Sequence, residues 1–123
     1  MELTKLGNPD AKSDRAIEAF PIADTTQVIT LDCAEFTCRC PITGQPDWAT
    51  IAIEYRPGKL AVETKSLKLY LETFREEGIF HEHLATVMRD DLVAALDPVA
   101  LTVTVRFNSR GGIAVAASSS YPA

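Results

Sequence analysis

Apolar residues alternate with polar ones over parts of this chain and recur every three or four residues over others, and the two periods predict its elements. In "TQVITLDCAEF", residues 26–36, Val28, Thr30 and Asp32 alternate with Ile29, Leu31 and Cys33, a β-branched period-two pattern that predicts a strand. Pro41, which has no backbone donor, ends it. After the turn residues of "PITGQP", the stretch "DWATIAIEYRPG" sets Ala49, Ile51, Ile53 and Tyr55 on one face and Thr50, Ala52 and Glu54 on the other, a second strand closed by Pro57 and Gly58. The period then changes. "SLKLYLETFREEG" places Leu67, Tyr70, Leu71 and Phe74 at i, i+3, i+4 and i+7, an amphipathic helix with Ser66 as candidate N-cap and Gly78 just past its end. "HEHLATVMRDDLVAALDP" repeats the helical period through Leu84, Val87 or Met88, Leu92 and Ala95 or Leu96, until Pro98 stops it. Finally, "VALTVTVRFNSRGGIAVAASS" alternates Leu101, Val103, Val105 and Phe107 against Thr102, Thr104 and Arg106, breaks at "NSRGG" and resumes at "IAVA", which predicts a hairpin.

This order, ββααββ, predicts an α+β fold, a four-stranded antiparallel sheet with two helices on one face. So small a sheet leaves two open edges, and pairing with copies of itself to close a barrel manages them most completely, so a ring-like homo-oligomer is expected. Residues 1–24 are polar, carry Pro9 and Pro21, and read as an arm of little regular structure covering one domain that spans 1–123.

Composition narrows the picture. At 46% hydrophobic the chain builds a core without disulfides or a structural metal, and a net charge of -5 argues against general attraction to nucleic acid or an anionic membrane. An anionic ligand must therefore be held by a few local lysines or arginines. No run approaches the roughly 18 apolar residues of a membrane span, and "MELTKLGNPDAKSD" lacks the apolar core of a secretion signal, so a cytoplasmic location is expected. Three cysteines crowded between positions 33 and 40 make no disulfide framework, which leaves catalysis, metal binding or packing.

Cys40 precedes a proline, which extends its backbone at a strand end where a side chain reaches a cleft. Given polar neighbours to stabilise the thiolate it is a candidate nucleophile, and otherwise a small packing residue. Asp47, across the turn, is a candidate proton donor beside it, or simply an acid opening a strand. Cys33, Cys38 and Cys40 with His81 and His83 are candidate zinc ligands, although C-x-C and H-x-H match none of the usual spacings. Glu82 beside His81 is placed to accept two parallel hydrogen bonds from an N–H and an adjacent amino group, the edge of a guanine-like ring, and Glu63 offers the same before the first helix. Lys65 and Lys68, with Arg110 from the "SRGG" turn, are candidate phosphate contacts or plain surface charges. No dinucleotide or Walker fingerprint is present.

Taken together, "EFTCRCPITGQPDWATI", "VETKSLKLYLETFR", "FHEHL" and "SRGGI" resemble the short, single-module 7-cyano-7-deazaguanine reductases, NADPH-dependent nitrile reductases of queuosine (tRNA modification) biosynthesis, from "LTKLGN" to Gly112. The resemblance implies the tunnelling fold, with stacked pentameric rings and sites between subunits. It implies that Cys40 adds to the nitrile carbon to form a thioimide, that Asp47 donates protons, and that hydride from NADPH reduces the adduct in two steps to the amine. It assigns Val62, Glu63, Thr64, His81 and Glu82 to the deazapurine, and Lys65 and Lys68, with Arg110, to NADPH. No metal, nucleic acid or membrane enters on this reading. Thr64 stands where serine or leucine is more usual, and Leu84 where some members carry a cysteine that protects the nucleophile as a disulfide; Cys38 is the nearest other thiol to Cys40. Two readings of other classes stand beside it, a zinc hydrolase of the same fold similar to GTP cyclohydrolase and a catalytically silent purine-binding module.

Overall fold

The computed structural model describes residues 2–123. Four long strands form one antiparallel sheet: β2 (Ile29–Arg39), β3 (Pro46–Arg56), β5 (Ala100–Phe107) and β6 (Ala116–Tyr121), in the spatial order β2-β3-β5-β6. Helices α1 (Thr64–Glu72) and α2 (His81–Leu96) lie between the two hairpins in sequence, α1 against β2 and α2 across β5 and β6. The alternation in the sequence explains the layering. Ile51, Ile53 and Tyr55 of β3 face Leu101, Val103 and Val105 of β5 in a core sealed by Leu84, Met88, Leu92 and Leu96 of α2. The opposite face carries threonines and serines, with Thr104 and Ser118 hydroxyls paired at 2.8 Å across β5 and β6.

Three features depart from the sequence expectations. The arm is not without strands: β1 (Ala19–Pro21) pairs antiparallel with β4 (Leu60–Val62), a two-stranded sheet. Three residues on each side carry too little periodicity to announce themselves, and the pairing is held instead by polar contacts. Glu18 accepts from the Thr4 and Lys5 amides at 2.8 and 3.1 Å, and Lys65 Nζ donates to the Asn8 carbonyl at 2.6 Å. The first helix begins earlier than Ser66 and ends well before Gly78. Its N-cap is Glu63, whose carboxylate accepts from the Lys65 and Ser66 amides at 2.6 and 2.9 Å, while buried Ser66 accepts from the Glu18 amide at 2.9 Å. Because the cap satisfies two orphan amides of a helix only nine residues long, Glu63→Ala is expected to lower unfolding free energy by about 1–2 kcal/mol, read as a lower urea midpoint at unchanged m-value. The last strand starts at Ala116 rather than at "IAVA"; Ile113 only bridges Arg110 across the turn.

A further irregularity bears directly on chemistry. Cys33 pairs with Ile51 but Phe36 with Ala49, so β2 spends three steps where β3 spends two. This bulge reverses the phase of the strand. Before it the odd-numbered Ile29, Leu31 and Cys33 face inward; after it the even-numbered Phe36 and Cys38 do.

Candidate active site

Phase and turn together place Cys40. The chain leaves β2 through "CPITGQ", where the Cys40 amide donates to the Gln45 carbonyl and the Gly44 amide to the Cys40 carbonyl, both at 2.9 Å. Pro41, Ile42 and Thr43 form a turn whose first residue lacks an N–H and whose next two amides point back at the Cys40 sulfur, the arrangement of a helix N-cap with proline at N1. The Thr43 hydroxyl foremost, then the Thr43 and Ile42 amides, with a lesser contribution from the Arg110 guanidinium, outweigh the opposing effect of burial and bring the Cys40 thiol down to about 7. Cys38, two residues earlier, is the opposite case: burial foremost, then the Asp47 and Glu77 charges, push it up to about 12, and it packs within the core. All three thiols are free, and so deeply packed a thiol has little thiolate with which to attack Cys40, which leaves Cys38 a packing role.

Asp47 is opposite Cys38 in the β2–β3 ladder, so its carboxyl points inward and is only 2% exposed. Two groups meet it there: Arg110 Nη1 at 2.8 Å from Oδ1 and His81 Nε2 at 3.4 Å from Oδ2. The His81 ring is fixed by stacking on Phe107, with centroids 3.6 Å apart and planes within 7°. A carboxyl so enclosed needs polar partners to offset its lost hydration, and both partners come from elements remote in sequence. Glu82, next to His81 in the first turn of α2, is exposed.

Gly78, expected as a helix terminus, serves this site. The segment after α1 runs beside the end of β2, with the Arg39 amide donating to Glu77 and the Ile79 amide to Arg39 at 2.9 and 3.1 Å. A Cβ on Gly78 would lie 3.0 Å from Pro41 Cα, so the absence of a side chain lets that segment press on the turn carrying Cys40.

The structure brings Cys40, Asp47, His81 and Arg110 together and leaves the other candidates elsewhere. Val62 is buried, Glu63 caps α1, and Lys65 ties down the arm. Thr64 and Lys68 line an open groove of about 430 Å³ between α1 and the bulged part of β2, with Cys33, Leu71 and Arg75. Glu63 is at the N-terminus of α1 whereas Cys40 adjoins the segment beyond its C-terminus, and nine helical residues alone span about 13 Å. Among the described residues no three histidine, cysteine, aspartate or glutamate side chains are grouped to hold a metal ion. Residues that the sequence did not single out also build the site. Thr43 and Gln45 serve the turn and Phe107 supports His81; of these only Thr43 has a sequence signal, its place three after a cysteine followed by proline.

Comparison with known proteins bears on family and fold. A family model described as "QueF-like protein" matches residues 46–123. A relative from Frankia casuarinae, named NADPH-dependent 7-cyano-7-deazaguanine reductase, is 78% identical over 98% of this chain and 97% of its own length. Another of that name, from Syntrophus aciditrophicus, is 49% identical over 97% of this chain and 86% of its own. The crystal structure of the archaeosine synthase QueF-Like in the apo form superposes with a TM-score of 0.73 over 80% of this chain and 95% of that one, at 23% identity, a likeness of fold. The fold is thus the α+β arrangement expected from the element order and the tunnelling fold that the resemblance implies. With the family model covering more than half of the sequence and near-full-length relatives far above the threshold of chance similarity, the chain belongs to the QueF-like protein family.

Proposed function

We propose that this protein is an NADPH-dependent oxidoreductase that reduces the nitrile of 7-cyano-7-deazaguanine to the aminomethyl group, in queuosine biosynthesis. The observation that carries the reading is the low thiol of Cys40 linked through Arg110 to a buried Asp47. A nitrile is a weak electrophile and needs both a nucleophile for its carbon and a proton for its nitrogen, and this pair supplies them. The Cys40 thiolate adds to the nitrile carbon, one C–N π bond breaks, and its electron pair takes a proton from Asp47, leaving a neutral thioimide. His81, held flat on Phe107, keeps Asp47 oriented. Two molecules of NADPH, bound in turn, would each supply one hydride, which with two protons would convert the nitrile carbon to a primary amine carbon and return the Cys40 thiol.

The residues present suit such a cofactor. Lys68 and Arg75 reach the groove beside α1, and among the described residues neither enters an ion pair, so both can meet phosphate. Lys65 is one turn away, its ammonium lent to a carbonyl only. Val62, Glu63 and Thr64, with His81 and Glu82, are taken as the deazapurine contacts. In one chain these fall at opposite ends of α1, so a complete pocket is formed between copies, consistent with the open edges β2 and β6 and with stacked pentameric rings. Residues 1–123 act as one domain on this reading. Among the described residues no helix is long and apolar enough to cross a membrane, and chemistry that needs a free thiol and NADPH fits the cytoplasm.

The zinc-hydrolase reading lacks a grouped ligand set, and a silent binding module has no use for an activated Cys40. The test is direct. Incubated with 7-cyano-7-deazaguanine and no NADPH, the chain is expected to gain the mass of one substrate, mapped to the peptide bearing Cys40 and discharged when NADPH is added. A chain that consumes neither substrate nor NADPH and carries no adduct sinks the reading.

A further inference from the structure

Arg110 was grouped with the lysines as a phosphate contact, but its position in the structure ties it to the reacting groups. It opens the β5–β6 turn, where Arg110 and Ile113 exchange backbone hydrogen bonds at 2.9 and 3.0 Å. Gly111 and Gly112 between them have φ of 59° and 80°, the two positive values of a type I′ turn that glycine adopts without a Cβ penalty. So tight a turn aims the guanidinium back over β3. Nη1 donates to Asp47 Oδ1 at 2.8 Å and Nη2 to Gln45 Oε1 at 3.1 Å, and the guanidinium helps to lower the Cys40 thiol. Gln45 in turn accepts from the Cys40 amide. One cation therefore bonds the acid and the turn that carries the nucleophile, and its charge bears on the nucleophile itself.

We propose that Arg110 is a catalytic residue, the common counter-ion for both ends of the addition step: it pairs with the Cys40 thiolate before attack and with the Asp47 carboxylate after it. This rests on the reading of Cys40 as nucleophile toward a nitrile. Before addition the negative charge is on sulfur and Asp47 holds the proton. When the carbon–sulfur bond forms, the π pair goes to nitrogen, nitrogen takes the Asp47 proton, and the charge finishes on the carboxylate. Sulfur is then uncharged. The negative charge has moved between two groups beside the same planar, forked donor set, one of them already bonded to it, so little has to reorganise to receive it. Lysine, a point charge, cannot span both positions in the same way.

The groups facing Cys40 are few: Arg110 from the hairpin turn, Asp47 on β3 with His81 of α2 behind it, Cys38 on β2 and Glu77 in the segment after α1. Of these Arg110 is the permanent cation, and its charge lowers the Cys40 thiol. Removing it must therefore raise the pH at which the thiolate forms.

The experiment compares the unaltered chain with Arg110→Gln and Arg110→Lys by the rate of Cys40 alkylation with iodoacetamide against pH, without nitrile or NADPH, and separately by kcat and the KM for NADPH. In the unaltered chain the alkylation midpoint is expected near 7. Arg110→Gln is expected to move it up by about half a pH unit, slowing alkylation near neutrality by about twofold, and to lower kcat by about 100-fold. Arg110→Lys keeps the charge and is expected to fall between, which also covers the case of a glutamine variant that does not fold. An unchanged alkylation profile in both variants with a raised KM for NADPH alone overturns the proposal and leaves Arg110 as a cofactor contact. The proposed reaction is judged on the unaltered chain by its nitrile adduct, whereas this comparison needs no substrate, so the two readings fail separately.

Discussion

Cys40→Ala is expected to abolish NADPH oxidation with 7-cyano-7-deazaguanine, lowering kcat by at least about 10⁴-fold, and to remove the covalent adduct altogether. The loss is this large because no other group of the chain can take over the bond to carbon. Cys38 is held protonated within the core, and Cys33, raised by burial and by neighbouring Asp32, lies in the groove beside α1. Stability should hardly change, because the turn around Cys40 is maintained by main-chain bonds to Gln45 and Gly44 that alanine retains. Cys40→Ser is expected to be almost as inactive, since a hydroxyl in the same cradle stays neutral where the thiol ionises. Cys33→Ala is the control, expected to keep the adduct on Cys40. The check is intact-protein mass spectrometry beside NADPH absorbance, and turnover by Cys40→Ala within tenfold of the unaltered chain would show that the nitrile is reduced without attachment to sulfur.

The second large effect is at Asp47. Asp47→Asn preserves shape and an acceptor for Arg110 but removes the proton source, and kcat is expected to fall by about 10²–10⁴-fold, the usual range for a positioned acid. Iodoacetamide, which requires no proton donor, should still alkylate Cys40 in this variant. That contrast separates the acid's chemistry from mere support of the turn. If alkylation and turnover were lost together, Asp47 would be a structural anchor for Arg110 and Cys40 rather than the acid. Asp47→Ala is the less informative change, because it also strips a buried partner from Arg110 and His81 and so mixes a packing cost with the chemical one.

The two substitutions probe residues that were legible from opposite kinds of information. Cys40 was marked by its neighbours in the chain: a cysteine at a strand end, then a proline that extends its backbone. Asp47 was marked by its place across the turn from Cys40 and by the family motifs, but its burial at 2% exposure depends on a ladder register that local sequence does not display. Arg110 shows the limit most clearly. "NSRGG" announces a turn, but which side of the sheet its arginine covers depends on the twist and pairing of β5 and β6. Ser66 was misjudged as the cap for a similar reason: the residue at the true cap, Glu63, is of a type less often found there, and its role is decided by the β1–β4 pair that precedes the helix.

Periodicity by itself determined the four long strands, the two helices, their order and the apolar faces they bury, because burial on one face imposes a period of two or of 3.6 wherever the chain runs regularly. The tertiary structure decided what breaks a period or joins distant segments. The bulge between Cys33 and Phe36 turned the second half of β2 over, so that Cys38 went into the core and Cys40 emerged beside the Arg110 that also holds Asp47. A one-residue slip leaves no mark on composition yet exchanges the two faces of every residue after it. That is why the elements could be read along the chain, and the grouping of thiol, acid, imidazole and guanidinium only across it.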